Sequence, residues 1–299
     1  MSRIDAAWKR ASGDLVDELS ESALQGRGSG AESSLAAYPS ETMRSVPRSV
    51  PTVPHPSADR APYPMRPGKA PAVPASLAGK LVGTPEIEAL SIEQYKRLGA
   101  ALHELQVERG IKSLMISSAL PREGKTLTVA NLALTFGGAY GRRVLVIDAD
   151  LHRPSLHEVF GVPNDRGLID ALRSSGTPLP ALEVSSEVSV VPAGRGPETP
   201  TALLSSDRLR RLVVEAAAHY DWILIDTPPV ATLTDGQFVA RATDGVLFVI
   251  AAGVTPYAIV QRSLLELGVD RIVGTVLNRV DQRVLPVRTD YRHHYADRT

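Results

Sequence analysis

Ser117-Ser118-Ala119-Leu120-Pro121-Arg122-Glu123-Gly124-Lys125-Thr126 is the stretch on which the fold turns. The apolar run before it, Ile111 to Ser117, reads as a buried strand, and Leu127 to Phe136 carries an apolar stripe at helical spacing. A loop between a strand end and a helix N-terminus has free N–H groups and a favourable dipole for an anion. Gly124 lets the backbone close around phosphate, the Lys125 ammonium reaches the outer phosphates, and the Thr126 hydroxyl is placed to ligate Mg²⁺. Pro121, Arg122, Glu123, Gly124, Lys125, Thr126 and Leu127 are therefore the expected nucleotide contacts. The opening glycine of such loops is replaced by Ala119.

Outward from this loop, short apolar β-branched strands alternate with helices. A helix from about Ser91 to Arg109 precedes the first strand. Further strands are expected at Arg143 to Ile147, Val188 to Val191, Trp222 to Ile225, Gly245 to Ala251 and Ile272 to Leu277. Helices are expected near 156–160, 167–172, 206–217, 235–241 and 256–267. This alternation predicts an α/β P-loop nucleotide-binding domain, with a mostly parallel sheet covered by helices on both faces. Ligands on such sheets bind at the carboxyl ends of the strands. Two apolar strands end there in acids: Asp148, with Asp150 two residues on, and Asp226. Carboxylates in that position can hold Mg²⁺ against the phosphates or accept a proton.

Composition narrows the class further. The chain has 299 residues, no cysteine and a formal net charge of zero. Disulfides, thiolate metal sites and cysteine nucleophiles are excluded, and no global charge favours nucleic acid. No apolar run approaches the roughly 20 residues a membrane span needs. Nor does the N-terminus have a secretion signal's apolar core. The reading is a cytoplasmic protein, peripheral at the inner membrane only through a partner.

Residues 1–20 are expected to form a short amphipathic helix, striped by Ile4, Trp8, Ala11, Leu15 and Leu19 and suited to docking on a partner. Residues 21–80 read as a disordered Pro-, Ser- and Gly-rich spacer, with prolines recurring from Pro47 to Pro74. The catalytic domain is assigned to 81–282, and 283–299 is a flexible tail containing Tyr291 and Tyr295.

The three motifs together resemble the bacterial tyrosine kinases of capsule and exopolysaccharide loci, within the MinD/ParA-like ATPases. The resemblance covers about Ser91 to Val280. MinD and ParA proteins carry a signature lysine five residues before the loop lysine, where this chain has Leu120. Pro121 followed by Glu123-Gly124-Lys125-Thr126 is instead kinase-like, as are Asp148-Ala149-Asp150 with Arg153-Pro154, and Asp226-Thr227-Pro228-Pro229. The resemblance implies an ATP- and Mg²⁺-dependent tyrosine autokinase that regulates polysaccharide synthesis or export. It also implies a homo-oligomer and a separate membrane-spanning chain-length or export protein as partner. Carried over, Lys125 binds the β- and γ-phosphates and Thr126 ligates Mg²⁺. Asp148 assists as metal-linked residue or as base, Asp150 and Asp226 orient the metal and its waters, and Asn278 lies against adenine. Tyr291 and Tyr295 are the expected phosphoacceptors.

The chain departs from the family pattern at three places. Its acidic motif has His152 where the family usually has Arg. Its first helix has Glu93, Lys96 and Gly99 where the family shows a Glu-x-x-Arg-x-x-Arg contact motif, and its tail is poor in tyrosine. Alternative readings are a MinD/ParA-like regulatory ATPase and a nucleotide-loaded scaffold with little kinase activity.

Overall fold

The computed structural model describes residues 77, 79–174, 176–196, 201–232 and 234–281. The helix expected at 1–20, nearly all of the spacer and the tail with Tyr291 and Tyr295 lie outside the described residues. The elements follow one another as α1 (Ala89–Arg109), β1 (Ser113–Ser118), α2 (Lys125–Tyr140), β2 (Val144–Asp148), α3 (Leu156–Phe160) and α4 (Leu168–Arg173). Then come β3 (Leu182–Glu183), β4 (Val188–Val191), α5 (Thr201–Leu204), α6 (Asp207–Ala216) and β5 (Trp222–Asp226). The chain continues through α7 (Asp235–Ala242), β6 (Gly245–Ala251), α8 (Tyr257–Leu267), a 3₁₀ turn (Val269–Arg271) and β7 (Ile272–Asn278).

The strands form one seven-stranded sheet in the order β3-β4-β2-β5-β1-β6-β7. All neighbours run parallel except β3, which pairs antiparallel with β4 at the edge. The sequence signal missed β3 because a two-residue strand exists only through its pairing. It also missed α5 and the 3₁₀ turn, each too short to show a period.

Strand residues alternate between two cores, as a period of two requires. Met115, Ile147, Ile225 and Phe248 face one core, with Leu168, Leu209, Val239 and Val260 packed on them. Ile116, Val146, Leu224 and Val249 face the other, under Leu102, Val129, Phe136 and Leu156. In the second core Phe136 of α2 stacks on Trp222 of β5, ring centroids 4.8 Å apart and 9° from parallel. Burying both sides of the central strands explains their nearly continuous apolar sequences.

This second core reaches the boundary between spacer and domain. Leu77 packs against it and Leu81 is buried within it. The Asn131 side chain of α2 accepts from Val82 N (2.7 Å) and donates to the Lys80 carbonyl (2.9 Å). The helix carrying Lys125 and Thr126 is thus held from behind.

β1 lies between β5 and β6, so the loop leaving it opens where successive connections run to opposite sides of the sheet. Parallel sheets place their ligand crevice at such a point, outside the strand carboxyl ends. Asp148 and Asp226 are paired in register there, and Asp226 also pairs with Ile116 of β1.

Candidate active site

α2 begins at Lys125 with Gly124 as its N-cap, no side-chain cap and no acid in its first turn. Its first N–H groups are therefore free to meet an anion. Gly124 has φ 99°, in the left-handed region, and a Cβ there would also collide with the Asn278 amide. Two independent constraints demand glycine. Arg122 is left-handed too, with φ 65°, and its carbonyl accepts from Arg279 Nη2.

A cavity of about 660 Å³ opens in front of the loop. Pro121, Arg122, Gly124, Lys125, Thr126 and Leu127 line one side of it. Asp150, His152, Arg153 and Ser155 line another, and Pro228, Pro229, Thr232 and Arg279 complete it. The volume lies within the range of small-molecule and cofactor sites, roughly 300–1,000 Å³. Lys125 is only 7% exposed, so its charge acts where water screens it weakly.

The two strand-terminal acids differ in their partners. Asp226 Oδ2 accepts from the Thr126 hydroxyl at 2.6 Å, while its other oxygen, Oδ1, is buried and has no hydrogen-bond partner. Burial pushes Asp226 up to about 6, against the lowering effect of the Thr126 hydroxyl and Lys125. Asp148 is fully buried, and its Oδ2 accepts from Ser155 N and Leu156 N, both at 3.0 Å. Its Oδ1 accepts from Asp150 N at 3.2 Å. Burial, with the neighbouring Asp226 charge, raises Asp148 well above the usual carboxylate range.

Asp148 and Asn278, expected at the metal and at adenine, both make hydrogen bonds within the chain. Asp148 is not among the residues that line the cavity, and backbone N–H groups of residues 150, 155 and 156 donate to its two oxygens. Asp150 is the carboxylate that lines the cavity. Burial raises Asp150, and the Arg153 N–H at 3.1 Å holds its orientation. Asn278 is likewise turned onto the loop: its Nδ2 donates to the Glu123 carbonyl at 2.8 Å. Its Oδ1 accepts from Arg279 N, so both ends of the amide are engaged beside the cavity rather than within it. Glu123 is not among the residues that line this cavity, and it is 2% exposed.

The Mg²⁺ ion that such a loop requires fits the donors present. Asp226 Oδ1 is an orphaned buried carboxylate oxygen beside the Thr126 hydroxyl, and the Ser155 hydroxyl stands 3.3 Å from Thr126 Oγ1. All are hard oxygen donors, suited to a small cation that keeps waters and takes its remaining ligands from phosphate. Among the described residues no group of three or more His, Asp or Glu forms a ready-made metal cage.

Asp235 carried no readable sequence signal as a site residue, and His152 stood out only as a departure from the family pattern. His152 Nε2 lies 2.9 Å from Asp235 Oδ2 across 83 positions of sequence. Asp235 is fully buried at the start of α7, and its Oδ1 has no partner. Arg279 could only have been suspected from its place after Asn278.

A phosphate loop at the sheet's switch point, an uncapped helix and two paired strand-terminal acids define a P-loop nucleotide-binding domain. The model of the CobQ/CobB/MinD/ParA nucleotide binding domain matches residues 122–295, more than half of the chain. The tyrosine-protein kinase YwqD of Bacillus subtilis is 35% identical over 202 residues, which cover 66% of this chain and 85% of that protein. The kinase domain of the Escherichia coli tyrosine kinase ETK superposes with a TM-score of 0.56 at 30% identity, over 64% of this chain and 77% of that one. The chimeric protein CapA2B2 superposes with a TM-score of 0.60 at 26% identity, over 68% of this chain and 91% of that one. The chain belongs to the bacterial tyrosine kinases, a branch of these nucleotide-binding domains.

Proposed function

We propose that this chain is an ATP- and Mg²⁺-dependent protein tyrosine autokinase that regulates the synthesis or export of a surface polysaccharide. The observation that carries the chemistry is the open oxygen of Asp226 beside Thr126, facing an uncapped helix that bears Lys125. Lys125 and the N–H groups of the loop bind the β- and γ-phosphates. Thr126 and Asp226 hold Mg²⁺, which when bound neutralises charge on the phosphates. Pro228 and Pro229 also line the cavity.

A tyrosine hydroxyl near pKa 10 is a poor nucleophile, and a carboxylate on the cavity wall gives its proton a destination. Asp150 has that place, with Asp148 organising the loop that presents it. Burial raises Asp150, which brings it closer to the basicity proton transfer requires. Tyr291 and Tyr295 are the acceptors. The 17 residues of 283–299 span up to about 55 Å at roughly 3.3 Å each, which suffices to enter a neighbouring subunit's site. The partner is a separate membrane-spanning chain-length or export protein, which would hold the kinase at the inner face of the membrane. No helix among the described residues is long and apolar enough to cross a membrane.

The test is incubation with ATP and Mg²⁺, followed by mapping of phosphate on the protein. Phosphotyrosine at Tyr291 or Tyr295, absent from Lys125→Met, is expected. Steady release of free phosphate without phosphotyrosine would favour a regulatory ATPase, and nucleotide binding without either would favour a scaffold.

A further inference from the structure

The phosphate loop's turn out of β1 has Ala119 where such loops open on glycine, and Ala119 is fully buried. Neither it nor Leu120 adopts a left-handed conformation, so something other than backbone freedom shapes the turn. Side chains bind both peptide groups of Leu120. Its N–H donates to Glu123 Oε2 at 2.6 Å, and its carbonyl accepts from the Ser118 hydroxyl at 2.8 Å.

The Glu123 carboxylate reaches a second element as well. Its Oε1 accepts from Ala251 N at 3.3 Å and from the Thr255 hydroxyl, both at the end of β6 and the turn into α8. The Glu123 carbonyl accepts from Asn278 at the end of β7. A carboxylate 2% exposed, with both oxygens engaged by donors from two elements, is a fixed strut rather than a surface charge.

We propose that Glu123 is a positioning residue that sets the shape of the phosphate loop from the β6 end of the sheet, through Leu120 N on one side and Ala251 N and Thr255 on the other. It takes over the part that the opening glycine has in other loops. Lys125 and the first N–H groups of α2 follow within two residues, so their aim at the phosphates depends on this strut. Thr255 is not among the residues that line the cavity, and its hydroxyl donates to Glu123. The inference rests on nucleotide binding at this loop and is independent of where the phosphoryl group goes.

The test measures binding of a fluorescent ATP analogue with Mg²⁺, with circular dichroism and Tm as checks on folding. Gln has the shape of Glu but turns an N–H₂ toward donors. Glu123→Gln should therefore weaken binding about ten-fold or more. Thr255→Val should weaken it about three-fold or more, with Thr255→Ser restoring wild-type affinity. In the double variant the two losses should not add, because both act through one strut. Wild-type affinity in folded Glu123→Gln would overturn the proposal. If Glu123→Gln does not fold, Thr255→Val decides: a loss that Ser restores supports the strut, and unchanged affinity overturns it. Absence of nucleotide binding by the wild-type protein would instead remove the functional reading on which the inference rests.

Discussion

The end of β2 and the end of β5 look alike in sequence: each is a run of four apolar residues closed by an aspartate. They also lie side by side in register, Asp148 against Asp226. Their surroundings make them different instruments. Asp148 accepts from three backbone N–H groups of the segment that follows it, at both of its oxygens. Asp226 engages one hydroxyl and keeps a buried oxygen open. A strand-terminal acid can organise a loop or await a cation, and only the N–H groups around it decide which.

Replacing the waiting oxygen should have the largest effect. Asp226→Asn should lower phosphotyrosine formation by on the order of 10²–10³-fold, the scale seen when a fixed electrostatic partner is removed from a reacting centre. The same change should stabilise the nucleotide-free protein. Asp226 has its pKa raised from 3.8 to about 6, so between these values the folded state keeps a proton that the unfolded state has lost. Stability therefore falls as pH rises from about 4 to about 6. Above that it stays lower. Thermal melts without nucleotide or Mg²⁺ should show this fall in the wild type and a flatter profile in Asp226→Asn. A wild-type Tm that climbs between pH 4 and 7 by the same amount in both proteins would sink the assignment.

Asp150→Asn tests what Asp148 positions. Loss of a general base costs roughly 10²–10⁴-fold, so transfer to tyrosine should fall by about 10²-fold while nucleotide affinity stays near wild type. Asp148→Asn also removes a buried carboxylate with a raised pKa, but unlike Asp226→Asn it turns an N–H₂ toward backbone N–H groups that it cannot accept from. That mismatch should cost about 1–3 kcal/mol and leave Asp148→Asn less stable than Asp226→Asn. Amide exchange at 149–156 should rise selectively. If Asp148→Asn were as stabilising as Asp226→Asn, the contrast between the two strand ends would collapse.

Much of this architecture was legible before any coordinates. The strands were found because burial on both faces leaves continuous β-branched runs, and the phosphate loop because its chemistry fixes residue types at fixed spacing. What could not be read depends on contacts far apart in sequence. Strand order, the antiparallel β3 and the pairing of Asp148 with Asp226 arise from tertiary packing. The inward turn of Glu123 needs Thr255, 132 positions away. The occupied oxygens of Asp148 need the bend of residues 149–156, which no periodicity encodes. Asn278 is expected against adenine, and the hydrogen bond of its amide to the Glu123 carbonyl, 155 positions away, is likewise a tertiary contact.

The smallest expected effect comes from the departure at His152. Its Nε2 meets one oxygen of the fully buried Asp235, joining the loop after β2 to the helix that follows β5, while the other Asp235 oxygen has no partner. A guanidinium presents a planar fork that can engage both oxygens of a carboxylate. His152→Arg should therefore tighten the tie between the two strand-end loops. Tm should rise by a few degrees, as about 1 kcal/mol shifts a domain of this size by roughly 2–4 °C. Phosphotyrosine formation should change by less than about three-fold, since the reacting groups keep their places. Asp235→Asn should lower Tm in both backgrounds, and by more in His152→Arg, where it would strand a buried permanent charge. Equal losses in the two backgrounds would mean that the fork never reaches Asp235.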